Sequence, residues 1–280
     1  SFLAAAANSL PMLVAARAIQ GAGAVSAAVT ALLADLTRDG VRTRAMAMIG
    51  LSIGLTFSVS LVVAPMIADI IGVPGLFMLT GILTVISIGV VAWMTPDPEV
   101  SKLHEDTQAQ PSRMGEVLRD RQLLNLDFGI FALHAAQMAL FTALPFAMTQ
   151  LGLEKIQHWK VYLPSTIAGL VIMIPLIIIG ETRNKLKQVF ILGIACIAAA
   201  QIGLLFGMYS IWLITAYLIV YFISFNVLEA SLPSMVSKIA PSDLKGTAMG
   251  VYNTMQSVGL FVGGASGGWL FQQYGFAGDR

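Results

Sequence analysis

Asp127, His134 and Gln137 are spaced so that, at about 100° per residue, they share with Phe141 an arc of about 80° on one helical face. A carboxylate and an imidazole on one apolar face can carry a proton, since both types exchange protons near neutral pH once removed from bulk water. A second set follows at Asn226 and Glu229, one turn apart, with Phe222 and Pro233 on the same flank. Glu229 stands about nine residues, roughly 13 Å, from Lys238, too deep in an apolar run to reach water easily. Tyr252, Asn253 and Gln256 supply uncharged groups able to orient a small molecule. Arg17 is the isolated case: in "AARAIQGAGAVSAA" it interrupts a stretch with no other charge. At bilayer depth an uncompensated arginine costs about 3 kcal/mol or more, so it faces protein or a watery cavity unless it can snorkel out. Gln20, Gly21, Ala24 and Ala28 lie near its face, and small residues there admit a close neighbouring helix. Each set also has a plainer reading. Asp127 can cap the start of its helix, His134 can be a packed structural histidine, and the uncharged groups can tie helices together.

The elements that must position these residues are membrane spans. Hydrophobic residues make up 57% of the chain and charged ones 11%, over 280 residues, with a mean hydropathy of +0.81. That is more apolar surface than a soluble core buries. Apolar runs long enough to cross a roughly 30 Å hydrocarbon layer as helices fall near 11–36, 45–68, 76–94, 123–150, 161–180, 188–208, 211–236 and 246–272. Residues 1–7 read as the tail of another helix, and the absence of an initiator Met or signal peptide suggests an internal piece of a longer protein.

Basic residues set the orientation. With connections alternating sides, Arg38, Arg42, Arg44, Lys102, Arg113, Arg119, Arg121, Arg183, Lys185, Lys187, Lys238 and Lys245 share one side, while Lys155, Lys160 and Arg280 share the other. The positive-inside rule makes the first side cytoplasmic. Trp93, Trp159, Trp212 and Trp269 fall near span ends, where amphipathic rings favour the headgroup layer. The net charge of +1 therefore reflects topology and gives no reason to expect nucleic acid. A lone Cys196 excludes a disulfide framework or thiolate metal site, and His104 and His158 stand singly in loops.

The polar run 95–122, with its prolines and mixed charge, reads as a cytoplasmic linker ending in a short amphipathic helix near 114–121. It divides the chain into 1–94, the later part of one helical bundle, and 123–280, most of a second. The run "RAMAMIGLSIGLTF" after Thr43 is similar to "TAMGVYNTMQSVGLF" after Gly246, an offset of 203 residues from Ala45 to Ala248. Weak similarity at that spacing suits a duplicated six-helix bundle, with about three helices expected before residue 1 and one after residue 280.

The segment "RAIQGAGA", Arg17 to Ala24, resembles the R-x-x-Q-G-x-G-A signature of the fourth transmembrane helix in the major facilitator superfamily. Within it, "LLADLTRDGVRTRAMAMIG", "QHWKVYL" and "SKIAPSDLKGTAMGVY" resemble bacterial YajR-type transporters, and "GETRNKLKQVF" resembles the second, degenerate copy of the superfamily's cytoplasmic loop motif without its Asp-Arg core. The resemblance implies an all-α, two-bundle transporter of the bacterial inner membrane, in which Arg17 serves proton or substrate coupling. It also implies that Asp35, at the cytoplasmic mouth, gates by facing the N-terminus of the eleventh helix, where free N–H groups attract an anion, although a solvated helix end is its plainer reading. The antiporter signature of the fifth helix is present in part: Gly50, Gly54 and Pro65 match, whereas Ala64 stands where a glycine is usual.

These readings lead to a multi-pass secondary transporter, expected to export a small molecule with the proton gradient as energy source. It needs no cofactor and no metal, works as a monomer and has the bilayer as its other partner. Uptake by symport and facilitated diffusion are alternatives. A rival of another class is an intramembrane serine protease, because Gly264, Ser266 and Gly267 follow a G-x-S-G order and His134 could activate the hydroxyl.

Overall fold

A computed structural model describes residues 1–22, 32, 36, 37, 39–96 and 110–274. Among them are nine α-helices and no strand: α1 (Phe2–Ala5), α2 (Leu10–Ala22), α3 (Asp39–Met94), α4 (Met114–Val117), α5 (Arg121–Gln150), α6 (Trp159–Thr182), α7 (Leu186–Gly207), α8 (Ile211–Ile239) and α9 (Lys245–Tyr274). Among the described residues, five stretches are long and apolar enough to span a membrane: Val62–Met94, Arg121–Gln150, Lys155–Gly180, Leu186–Gly207 and Ile211–Ile239.

The chain forms two compact units, Ser1–Lys102 and Leu103–Arg280. In the first, α1 packs on α3, where the ring of Phe2 fills the space beside Gly81. The connection expected between residues 68 and 76 is sharper than read. Helical geometry runs on to Gly72, which breaks α3 at φ 71 and ψ 173, a conformation open chiefly to glycine. At a rise of about 1.5 Å per residue the 56 residues of α3 would far exceed a bilayer as one rod, and the break divides them into two shorter helical segments.

The second unit is a bundle of α5–α9. Asp120 caps α5, its side chain accepting from the backbone N–H of Gln122 (2.8 Å) and Leu123 (3.2 Å). The other end closes in a Schellman arrangement: Gly152, at φ +83, donates to the Thr149 carbonyl and Leu153 to that of Met148. Helix α8 is the centre, with Ile214, Leu218, Tyr221 and Leu232 almost wholly buried and both α6 and α7 packed on it.

Helices α5 and α9 make the closest pairing. A Cβ at Gly259 would collide with the Phe131 carbonyl, one at Gly263 with the Ala135 carbonyl, and one at Gly267 would lie 2.8 Å from Ala139 Cα. Residues 259, 263 and 267 step along α9 as 131, 135 and 139 step along α5. The two helices therefore run parallel, backbone against backbone, through a small-residue seam.

Candidate functional site

The pairing of α5 and α9, with α8 alongside, positions the polar groups. On α5, Leu123, Leu126, Asp127, Ile130, Leu133, His134 and Gln137 are buried at three- and four-residue spacing, so the polar stripe read from the sequence faces the bundle interior. Asp127 is 3% and His134 5% exposed. The plainer reading of Asp127 as a helix cap is corrected: the cap is Asp120, and Asp127 lies two turns deeper.

His134 meets all three helices. Its Nδ1 lies 3.2 Å from the Ile130 carbonyl, which can only accept, so Nδ1 carries the hydrogen and Nε2 presents its lone pair. The Gln256 amide nitrogen, on α9, donates to that lone pair at 2.8 Å and to Glu229 Oε1, on α8, at 3.2 Å. Glu229 Oε2 is 3.7 Å from His134 Nε2 and has no hydrogen-bond partner among the described residues. The edge of the Phe225 ring closes one side of the imidazole at 5.6 Å. One amide thus bridges an acid and a base across three helices.

Asp127 Oδ2 and the Tyr252 hydroxyl are buried without a partner among the described residues, and Tyr252 lies within electrostatic reach of both Asp127 and Glu229. Phe141 packs on Tyr162 and Phe222 at 5.8 and 6.2 Å between ring centroids, continuing the stripe as an aromatic wall. Asn226 is set apart from this group, its amide lying against Gly169 of α6, where a Cβ would be 2.9 Å from it. Asn253 is exposed and its carbonyl accepts from Ser257.

Arg17 is exposed within the first unit, donates to Gln20 Oε1 at 2.7 Å and lies 5.8 Å from the centroid of the Phe77 ring. A fork that binds an amide and lies over an aromatic face is a specific use of arginine. Gly21 has open space on its side. Gly50, Gly54 and Pro65 fall on α3, and Asp35 lies outside the described residues. The protease reading finds no support: Ser266 is exposed and donates to the Val262 carbonyl of its own helix at 2.6 Å, while Gln256 occupies His134 Nε2.

The spacing on α5 had pointed to the stripe, but nothing in the sequence singled out Phe225 or the contacts of Gln110, Arg113 and Asp243 before α9. The second unit is thus an all-helical bundle of membrane-length segments that holds an acid, a base and a bridging amide where three helices meet. The chain belongs to the Major Facilitator Superfamily, whose family model matches residues 1–264. It is 39% identical over 270 residues to the inner membrane transport protein YajR of Escherichia coli, covering 96% of this chain and 60% of that protein, so it spans about three-fifths of that relative's length. An uncharacterized transporter of Buchnera aphidicola is 27% identical over 264 residues, 94% of this chain and 68% of its own. The multidrug resistance protein MdtH of Cronobacter sakazakii is 24% identical over 194 residues, 68% of this chain and 46% of its own.

Proposed function

We propose that the parent protein is a proton-coupled secondary transporter of the bacterial inner membrane that exports a small amphipathic molecule by rocking two bundles about a central cavity. The observation that carries this reading is the Glu229–Gln256–His134 constellation, a buried base and a part-exposed acid tied by one amide where three apolar helices meet. Ionisable groups in such a place are costly to keep and serve transport or proton relay as a rule. Asp127 and Tyr252, buried with oxygens that have no partner among the described residues, extend the polar interior along the same helices. Arg17, paired with Gln20, is a fixed charge of the first unit, and Gln137, Asn226 and Asn253 add polar groups for orientation. The protein works as a monomer and draws on the proton gradient alone.

The test is flux of a panel of amphipathic compounds in proteoliposomes of the intact protein, with and without an imposed pH gradient. Export driven by an inward proton gradient is the expected result, and Glu229→Gln should insert normally yet lose the gradient-driven part. Flux indifferent to the gradient in parent and variant alike would leave facilitated diffusion, and flux in the direction of the proton would make the protein a symporter.

A further inference from the structure

The transport reading leaves unused an arrangement at the cytoplasmic edge of the second unit. Gln110 donates from its backbone N–H to Thr247 Oγ1 at 2.8 Å and from Nε2 to the Asp243 carbonyl at 3.0 Å. Three residues on, Arg113 donates through Nε and Nη2 to the two carboxylate oxygens of Glu116, each at 2.7 Å, and through Nη1 to Asp243 Oδ2. Val117 of α4, Leu244 and Thr247 are each 2% exposed, whereas the Arg113, Glu116 and Asp243 side chains are 37%, 55% and 50% exposed, so the ion pairs lie open to solvent beside a buried contact at the start of α9.

A stretch that only spans a gap between two bundles needs no such fastening. Loops ordinarily run over the surface with their backbone groups hydrated, whereas here a backbone N–H, a side-chain amide and a guanidinium fork all reach the turn that begins α9. The guanidinium also holds the Glu116 and Asp243 carboxyls below the usual carboxylate range, and its own dissociation is pushed up by both, so the three groups stay charged together. What they grip is mechanically connected. Helix α9 lies backbone to backbone on α5, with no side-chain layer to absorb a displacement, and Gln256 is nine residues, about 13 Å, along it from Thr247. Rigid elements in direct contact are the physical means by which a shift at one place reaches another.

We propose that residues 110–117 form an ionic clasp that holds the start of the second unit to the turn that begins α9, so that a pull on this segment is delivered to α9 and biases the separation of the bundles. Only this last step, the bias, rests on the two-bundle transport reading.

The test uses the full-length parent in lipid nanodiscs, with Arg113→Glu, Asp243→Arg and the double exchange. Hydrogen exchange over 110–117 and 244–249 should lose protection in each single variant and regain it in the double, where an acid at 113 again faces a base at 243. Spin labels at Met94→Cys and Lys238→Cys, in a background with the native cysteines replaced, report bundle separation at the cytoplasmic ends. Their distance distribution should shift in the single variants and return in the double. Unchanged protection in both single variants would overturn the clasp. Lost protection with unchanged distances would overturn the delivery of movement while leaving the transport reading intact, since proton-driven flux is measured separately. Loss of protection that the double exchange fails to restore would show that the charges act separately, which also overturns the clasp.

Discussion

Gly263 offers the most direct test of how the site is built. In Gly263→Ala the added methyl would lie 2.6 Å from both Cα and the carbonyl carbon of Ala135, against the roughly 3.5–4.0 Å of an ordinary carbon–carbon contact. The obstacle is backbone and cannot rotate away, so α5 and α9 must part locally by about 1 Å. Overpacking of this kind costs about 1–3 kcal/mol. Gly268, five residues further along the same helix, faces open space; there alanine adds only its better helix propensity, a gain of up to about 1 kcal/mol. The pair of substitutions therefore has opposite expected signs on one helix, with a spread of about 1–4 kcal/mol from those two estimates. Thermal unfolding of the purified full-length protein in detergent checks it: Gly263→Ala should melt several degrees below the parent and Gly268→Ala at or above it. Equal melting temperatures would mean that α5 and α9 do not touch along the glycine seam, and the placement of Gln256 beside His134 would fall with it.

Asp120→Ala should lower stability by about 1 kcal/mol through loss of the α5 cap, and Asp120→Asn should recover most of that in the same melting assay. Arg17→Leu should melt within a few degrees of the parent, because an exposed cation–π contact is worth about 0.5–1 kcal/mol; failure to fold would make Arg17 structural and remove it from the transport cycle. The clasp should be insensitive to pH between 8 and 5: carboxyls depressed by Arg113 stabilise the folded form above their unfolded values of about 4 and lose that contribution only as pH falls through the lower folded ones. Exchange protection of 110–117 that fades by pH 6 would contradict this.

Periodicity made the α5 stripe legible, because burial of one face repeats every three to four residues and the sequence writes that pattern directly. Hydropathy located the spans expected at 123–150, 161–180, 188–208 and 211–236, because a helix that crosses a hydrocarbon layer must stay apolar over most of its length. What could not be read was which faces meet. His134 and Gln256 are 122 residues apart in the chain, and their encounter depends on glycines at 259, 263 and 267 finding small partners at 135 and 139, a matter of three-dimensional register. The clasp was hidden differently: Gln110, Arg113 and Asp243 lie in stretches without periodicity, where a charge reads as solvated until its partner is seen. The turn before α3's second span was misjudged in length because Gly72 accomplishes with one residue's φ what a loop usually does with several.

The amide of Gln256 has two faces, one that gives hydrogens and one that takes them. In the arrangement described, its nitrogen serves a neutral imidazole and a carboxylate at once. A proton placed on His134 Nε2 would set two donors against each other, and the histidine would then find its natural partner in Glu229 Oε2, already 3.7 Å away, leaving the amide idle. A second proton, on Glu229, would allow the amide to rotate by half a turn and accept from both neighbours through its oxygen. Occupancy by zero, one or two protons thus corresponds to three different ties between α8 and α9: bridged by nitrogen, unbridged, and bridged by oxygen. A glutamine that never ionises would keep the count, and an isotope-edited amide I band of a side-chain-labelled Gln256 would be the place to read it.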